Sequence, residues 1–165
     1  MQFTPYLTFD GNCAEAMAFY AQLLGGQITY QGTFGEMPAD AGMPPLPEAA
    51  KKRIMHAHLV VGAQSIMASD TLPAMPGQAN DGCGGGYQKP QGLSVSIGVE
   101  TVAEGQRIFE GLTPGGQVSM PFGATFWSPG FGMVTDRFGT PWMVNVVSEP
   151  PKARAAHFFQ SRRAR

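Results

Sequence analysis

His56 and His58 stand two residues apart in the run Ile54–Val61 (IMHAHLVV), whose other members are all apolar. In an extended chain that spacing turns both imidazoles to one face and Met55, Ala57, Leu59 and Val61 to the other. Two imidazoles on one face are half of a divalent-metal site, with Glu36 (in FGEMP) or Asp70 as carboxylate donors. The bland alternative is that the histidines hydrogen-bond to loop backbone. Glu36 also has two readings, a general acid or base if buried, or the cap of a turn. Asp70, ahead of Thr71 and Pro73, reads as an Asx-turn residue, and Asp136 (in DRFG) as the turn before the last strand. Trp127, Phe131 and Trp142 suit stacking on a planar ligand, and equally suit core or dimer packing.

Other chemistry is thinly represented. There is no G-x-S-x-G elbow and no Cys–His signature. Gly82–Gly86 (GCGGG) lacks the lysine and the strand-to-helix setting of a phosphate loop. Cys13 and Cys83 make neither a disulfide framework nor a zinc motif, and Cys13 falls at a helix start. The third histidine, His157, belongs to the tail.

These residues must be positioned by a chain of 165 residues, 43% hydrophobic and 14% charged, which is enough for one domain with a core. No stretch approaches the roughly 20 apolar residues of a membrane span. Met1-Gln2-Phe3 does not start a signal peptide, so the cytoplasm is the expected location. The net charge of −1 hides an asymmetry. Residues 150–165 carry Lys152, Arg154, Arg162, Arg163 and Arg165 and no acid, leaving a body of 6 basic and 12 acidic residues. An acidic body argues against nucleic-acid binding. The basic tail, with Phe158 and Phe159, reads as a solvated or partner-packed appendage.

The organisation is a duplication. AEAMAFYAQLLGGQITY from Ala14 to Tyr30 returns as AEGQRIFEGLTPGGQVSM from Ala103 to Met120, offset by 89 positions in the helical part and 90 after it. A repeat of that length is half a small domain rather than a solenoid unit. Each copy reads strand, helix, then three strands. The first has Phe3–Asp10, a helix capped by Asn12 with Glu15 as its capping-box partner and stopped by Gly25-Gly26, then Gln27–Phe34, Ile54–Val61 and Gln64–Asp70. The second has Leu93–Val99, a helix Val102–Leu112 capped by Thr101 with Glu104, then Gly115–Phe122, a strand within Thr125–Asp136, and Thr140–Val147. Two long Gly/Pro-rich loops interrupt this, Gly35–Arg53 with a helical turn at Pro47–Lys52, and Leu72–Gly92. The expected fold is α+β: two βαβββ modules (about 1–70 and 92–148) in one domain, residues 1–149, forming a half-open, eight-stranded barrel-like sheet with helices outside and a ligand cavity within.

That plan resembles the vicinal oxygen chelate superfamily of glyoxalase I, extradiol dioxygenases and bleomycin-resistance proteins, and within it the PhnB-like group. The motifs carrying the likeness are YLTFDGNCAEAMAFY, FGEMP, HAHL…IMASD and TFWSPGFGMVTDRFGTPWMVNV, in order over nearly all of residues 1–150. Some PhnB-like proteins carry a ubiquinone-pathway methyltransferase label, which no nucleotide-binding turn here supports. The resemblance implies a divalent ion held by His and Glu from the first and last strand of each module. Laid on this chain, those positions are Pro5, Met67, Ser94 and Met143, which offer neither imidazole nor carboxylate.

The reading that follows is a small-molecule-binding protein without a metal or other cofactor, its ligand in a central cavity near Glu36, His56, His58, Trp127 and Trp142. The resemblance further implies a homodimer; neither nucleic acid nor membrane is expected as a partner. One alternative is a metal-dependent lyase, isomerase or dioxygenase-like enzyme with its site moved to His56, His58 and Glu36. Another is a non-catalytic homodimeric interaction module.

Overall fold

The computed structural model describes residues 1–38, 45–73 and 86–147. Strand β1 (Tyr6–Phe9) leads into helix α1 (Cys13–Leu24), followed by β2 (Gln27–Thr33), a 3-10 turn (Phe34–Glu36), the short helix α2 (Glu48–Lys51), and the hairpin β3 (Ile54–Val61) and β4 (Gln64–Asp70). The second copy runs β5 (Val95–Val99), helix α3 (Val102–Leu112), β6 (Gln117–Gly123), β7 (Phe131–Thr135) and β8 (Pro141–Val146). The strands form two sheets of four, ordered β1-β4-β3-β2 and β5-β8-β7-β6, with β1–β4 and β5–β8 parallel. Among the described residues no ladder joins the two sheets, so the eight strands stay open. This is the expected α+β arrangement of two βαβββ modules.

Alternation along the strands sorts side chains onto two faces. In the first sheet Leu7, Phe9, Ala57, Leu59, Ile66 and Ala68 are buried on the face that α1 covers with Cys13, Ala16, Met17 and Tyr20. In the second, Val134, Trp142, Val144 and Val146 are buried on the face covered by Ile108, Phe109 and Leu112 of α3. Burying each large side chain of this kind stabilises the fold by about 1.5–3 kcal/mol. Among the described residues, the opposite face of each sheet carries no helix.

The duplicated Gly-Gly now has a physical reason. The first glycine of each pair ends its helix region with positive φ, +68° at Gly25 and +73° at Gly115, where a side chain would strain the backbone. The second lets the chain pass close to the neighbouring strand. A Cβ at Gly26 would sit 2.7 Å from the carbonyl oxygen of Val60, and one at Gly116 would collide with that of Thr135.

The helix starts differ between the copies. Thr101 caps α3 as expected, its hydroxyl accepting from the Glu104 N–H at 3.2 Å. Asn12 makes no side-chain cap, and the expected box with Glu15 does not form. Asp70 holds the helix start from a distance, at the Cys13 N–H. Its Oδ1 accepts the N–H groups of Gly11 (2.8 Å) and Cys13 (2.9 Å), and its Oδ2 accepts that of Ile54 (2.8 Å). The Asx-turn reading of Asp70 is therefore corrected: it is a buried carboxylate tying three segments together, far apart in sequence and invisible to local pattern.

The modules meet through the helix layer. The Tyr20 hydroxyl donates to Asp136 Oδ2 at 2.6 Å and also lies 3.0 Å from Thr140 Oγ1, while its ring meets Trp142 edge-on at 5.1 Å. The Arg107 guanidinium donates to the Leu23 carbonyl at 2.9 Å, and Phe19 packs on Phe138. Asp136 also makes the expected turn, its Oδ1 accepting from the Phe138 and Thr140 N–H groups. Residues from both copies share one continuous core. The basic tail, His157 and Cys83 lie outside the described residues.

Candidate functional site

The helix-free face of the first sheet gathers the most chemistry. Register places Tyr6, Met67, His58 and Tyr30 opposite one another across its four strands. His56 lies in the adjoining row opposite Gly32. Its ring is flanked by those of Tyr6 (centroids 5.8 Å apart, stacked) and Tyr30 (5.9 Å), and its Nδ1 is 3.3 Å from the Tyr6 hydroxyl. Gly32 makes room for this strip, because a Cβ there would come within 2.6 Å of the Tyr30 hydroxyl oxygen. Tyr6 and Tyr30 are each about half exposed (52% and 51%), so the strip is open to solvent. The His58 Nδ1 lies 3.1 Å from the Thr29 hydroxyl.

The matching face of the second sheet is softer. Met120, Met133 and Met143 stand opposite one another across β6, β7 and β8, with Ser96 completing the row on β5. Beside them Asn145 pairs with Phe131 and Gly98. The Asn145 Oδ1 is buried and, among the described residues, has no hydrogen-bond partner. Trp127 leans edge-on against Phe131 at 5.6 Å from the loop before β7.

The five residues singled out from sequence do not form one cluster. His56 and His58 share a face, as their spacing required. Glu36 is exposed in the 3-10 turn and caps it, accepting from the Thr33 N–H (2.6 Å) and hydroxyl (3.0 Å). Those bonds hold its carboxyl below the usual range, which suits a cap and not a buried acid–base group. Trp127 is half exposed on its loop. Trp142 is 1% exposed, with its indole N–H donating to Asp136 at 2.8 Å. It is a core residue rather than a stacking surface, because position 142 falls on the helix side of β8. Tyr6, Tyr30 and Asn145 were not among the candidates. Alternation against buried Leu7 and Phe9 is a signal that puts Tyr6 on the free face, whereas Tyr30 follows a bulge in β2 that no sequence signal marks.

The positions that the resemblance assigns to a metal lie on or beside β1, β4, β5 and β8. The parallel ladders pair Met67 with Tyr6 and Met143 with Ser96. The strand offset between copies is thus 90, not the helical 89, because the β5–α3 connection is one residue shorter than the β1–α1 connection. Ser94 is displaced accordingly, and the repeat counterpart of Tyr6 is Ser96. Like Pro5 and Ser94, the phenol, hydroxyl and two thioethers of this set include neither imidazole nor carboxylate, the usual ligands of zinc and manganese. Among the described residues no three His, Cys, Asp or Glu side chains converge as a metal-holding group.

A separate cavity of about 500 Å³ lies between the modules, walled by Pro5, Val61 and Ile66 on one side and β5, Arg107 and Ile108 on the other. Cys13, fully buried beside Asp70, has its thiol pushed up to about 12, by burial first and by the carboxylate second.

The two open βαβββ sheets have counterparts among known proteins. Residues 2–144 match the model of the Glyoxalase/Bleomycin resistance protein/Dioxygenase superfamily, and the chain belongs to that superfamily. It is 36% identical over 156 residues to Protein YjdN of Escherichia coli (strain K12), covering 92% of this chain and 99% of the relative. It is similar to the crystal structure of protein PA1353 from Pseudomonas aeruginosa, with TM-score 0.74 and 44% identity over 90% of this chain and 99% of that one. A Bacillus cereus protein described as a putative 3-demethylubiquinone-9 3-methyltransferase, PhnB protein, shares the fold at TM-score 0.66 and 23% identity, covering 89% of this chain and 100% of that one.

Proposed function

We propose that this protein is a PhnB-like small-molecule-binding protein whose ligand lies on the free faces of the two sheets, without the superfamily's metal. The observation that carries this reading is the Tyr6–His56–Tyr30 strip, three planar rings held side by side on an open sheet face. Such a strip offers stacking surface to a planar or amphipathic molecule, with imidazole and phenol groups to orient it. The methionine row opposite Ser96 adds polarizable, adaptable surface, and Asn145 adds an acceptor seeking a donor.

A thermal-shift panel of glutathione, aromatic antibiotics and alkyl phosphonates tests the reading. A compound with Kd near 1 µM stabilises the protein by about 4 kcal/mol at roughly a thousandfold excess over Kd. The shift is expected to vanish in Tyr30→Ala and His56→Ala variants. Binding that survives both substitutions would move the site elsewhere. One tightly held metal equivalent in protein purified without chelator, lost in the His56→Ala/His58→Ala double variant, would favour the relocated-metal enzyme instead.

A further inference from the structure

We propose that the cavity between the modules is a second binding site, for an amphipathic monocarboxylic acid whose apolar chain lies between the two sheets and whose carboxylate meets Arg107. This site is independent of the Tyr6–His56–Tyr30 strip, because alternation puts its apolar walls on the other side of the sheets. Val61 and Ile66 share a face with buried Leu59 and Ala68, and Val95 and Ile97 share one with buried Val99.

The cavity leaves apolar surface unmatched. Leu24, Val61, Val95 and Ile97 all pack against the core yet are only half-buried, whereas Val144 and Val146 on the adjoining β8 are buried. The gap lies where the sheets come apart. Among the described residues no ladder joins β5 to the first sheet, and the modules touch elsewhere, through Tyr20, Phe19 and the Arg107–Leu23 bond. At about 500 Å³ the cavity falls within the roughly 300–1,000 Å³ of small-molecule sites. Ile108 and Trp142 complete a lining suited to an aliphatic or aryl chain.

The opening selects the head group. Arg107 lines the cavity and is exposed, so it stands where the cavity meets solvent. Its Nη1 donates at 2.9 Å to the Leu23 carbonyl, one of the last in α1, which anchors the guanidinium at that helix end. Among the described residues no carboxylate pairs with it, so its charge and remaining N–H donors are available to an anion. Glu104, one turn earlier on α3, lines the same cavity. One negative charge beside one positive favours a monoanion over phosphate or sulfate. The apolar walls favour a carboxylate carried on a chain over a free ion.

Heavy-atom quenching in the full chain tests this. Trp127→Phe leaves Trp142, part of the cavity lining, as the sole tryptophan. An ω-brominated decanoic acid, kept below its aggregation concentration, is expected to quench Trp142 emission saturably. Bromine quenches on contact, and a chain lying on a free sheet face is separated from the Trp142 ring by the sheet itself. Arg107→Gln is expected to raise Kd at least about tenfold. Glu104→Gln is expected to lower it about two- to fivefold by removing the like charge. Val95→Phe, which fills the cavity, is expected to abolish quenching, and Tyr30→Ala/His56→Ala to leave it unchanged. Absence of saturable quenching, an unchanged Kd in Arg107→Gln, or quenching lost in Tyr30→Ala/His56→Ala would each overturn the proposal. Arg107 and Glu104 are exposed, so their variants decide the matter even if Val95→Phe does not fold. A failed ligand screen on the free faces with quenching intact leaves this site standing, and failed quenching leaves the free-face reading untouched.

Discussion

Asp70 and Cys13 show how one buried carboxylate organises a helix start. Three N–H groups from Gly11, Cys13 and Ile54 converge on the Asp70 oxygens. Asp70→Asn turns one of those acceptors into a donor facing an N–H. Urea denaturation is expected to show a loss of about 2–4 kcal/mol, against well under 1 kcal/mol for Asn12→Ala, which removes no cap. Cys13 gives a pH signature. Its thiol is raised to about 12 in the folded protein, against roughly 8.5 in an unfolded chain. The neutral thiol's contribution is therefore complete below about pH 8.5 and is lost as pH rises towards the folded value. Thermal melts from pH 7 to 10.5 should fall more steeply for the natural chain than for Cys13→Ala. Equal slopes would show that the thiolate is not excluded.

The elements were largely readable. β3, β4 and α3 have the boundaries that hydrophobic alternation and helix spacing predict, because each has one strongly apolar face and clear punctuation at both ends. The Gly-Gly pairs were legible as helix stops, though not as close approaches to a neighbouring strand. That second role yields a paired prediction. Gly26→Ala and Gly116→Ala each force a Cβ against a backbone carbonyl, at Val60 and Thr135, and each should cost about 1–3 kcal/mol in denaturant titrations. Gly62→Ala is the control for strain without a clash, since φ is +58° there and no atom lies within 4 Å of the added Cβ. It is expected to lose about 1 kcal/mol. The Asn12 cap does not form because its backbone (φ −116°, ψ 18°) lies outside the extended conformation that turns an N-cap side chain back to the first-turn N–H groups, and local sequence carries no trace of that geometry.

At the scale of the molecule, Tyr20 joins the two copies. Its hydroxyl is bonded to Asp136 and Thr140 of the other module, and burial followed by the Asp136 charge pushes its ionisation upward. Tyr20→Phe leaves Asp136 Oδ2 with the Trp142 N–H alone and should cost about 1–3 kcal/mol. The expected sign is a lower melting temperature with unchanged near-neutral secondary structure by circular dichroism. Loss of cooperativity, with two separate transitions, would indicate that this contact is what makes the copies unfold together.

The sequence by itself determined the duplication, the order of strands and helices, and the family likeness. All of these are written in spacing and residue type, which local backbone periodicity converts directly into structure. Only the tertiary structure decided that Trp142 belongs to the core, that Asp70 caps a distant helix, and that Tyr6, His56 and Tyr30 form one strip. The reason is physical: which face of a strand meets a helix, and which residue opposes which across a ladder, depend on register and on bulges. Those are settled by packing between segments far apart in the chain.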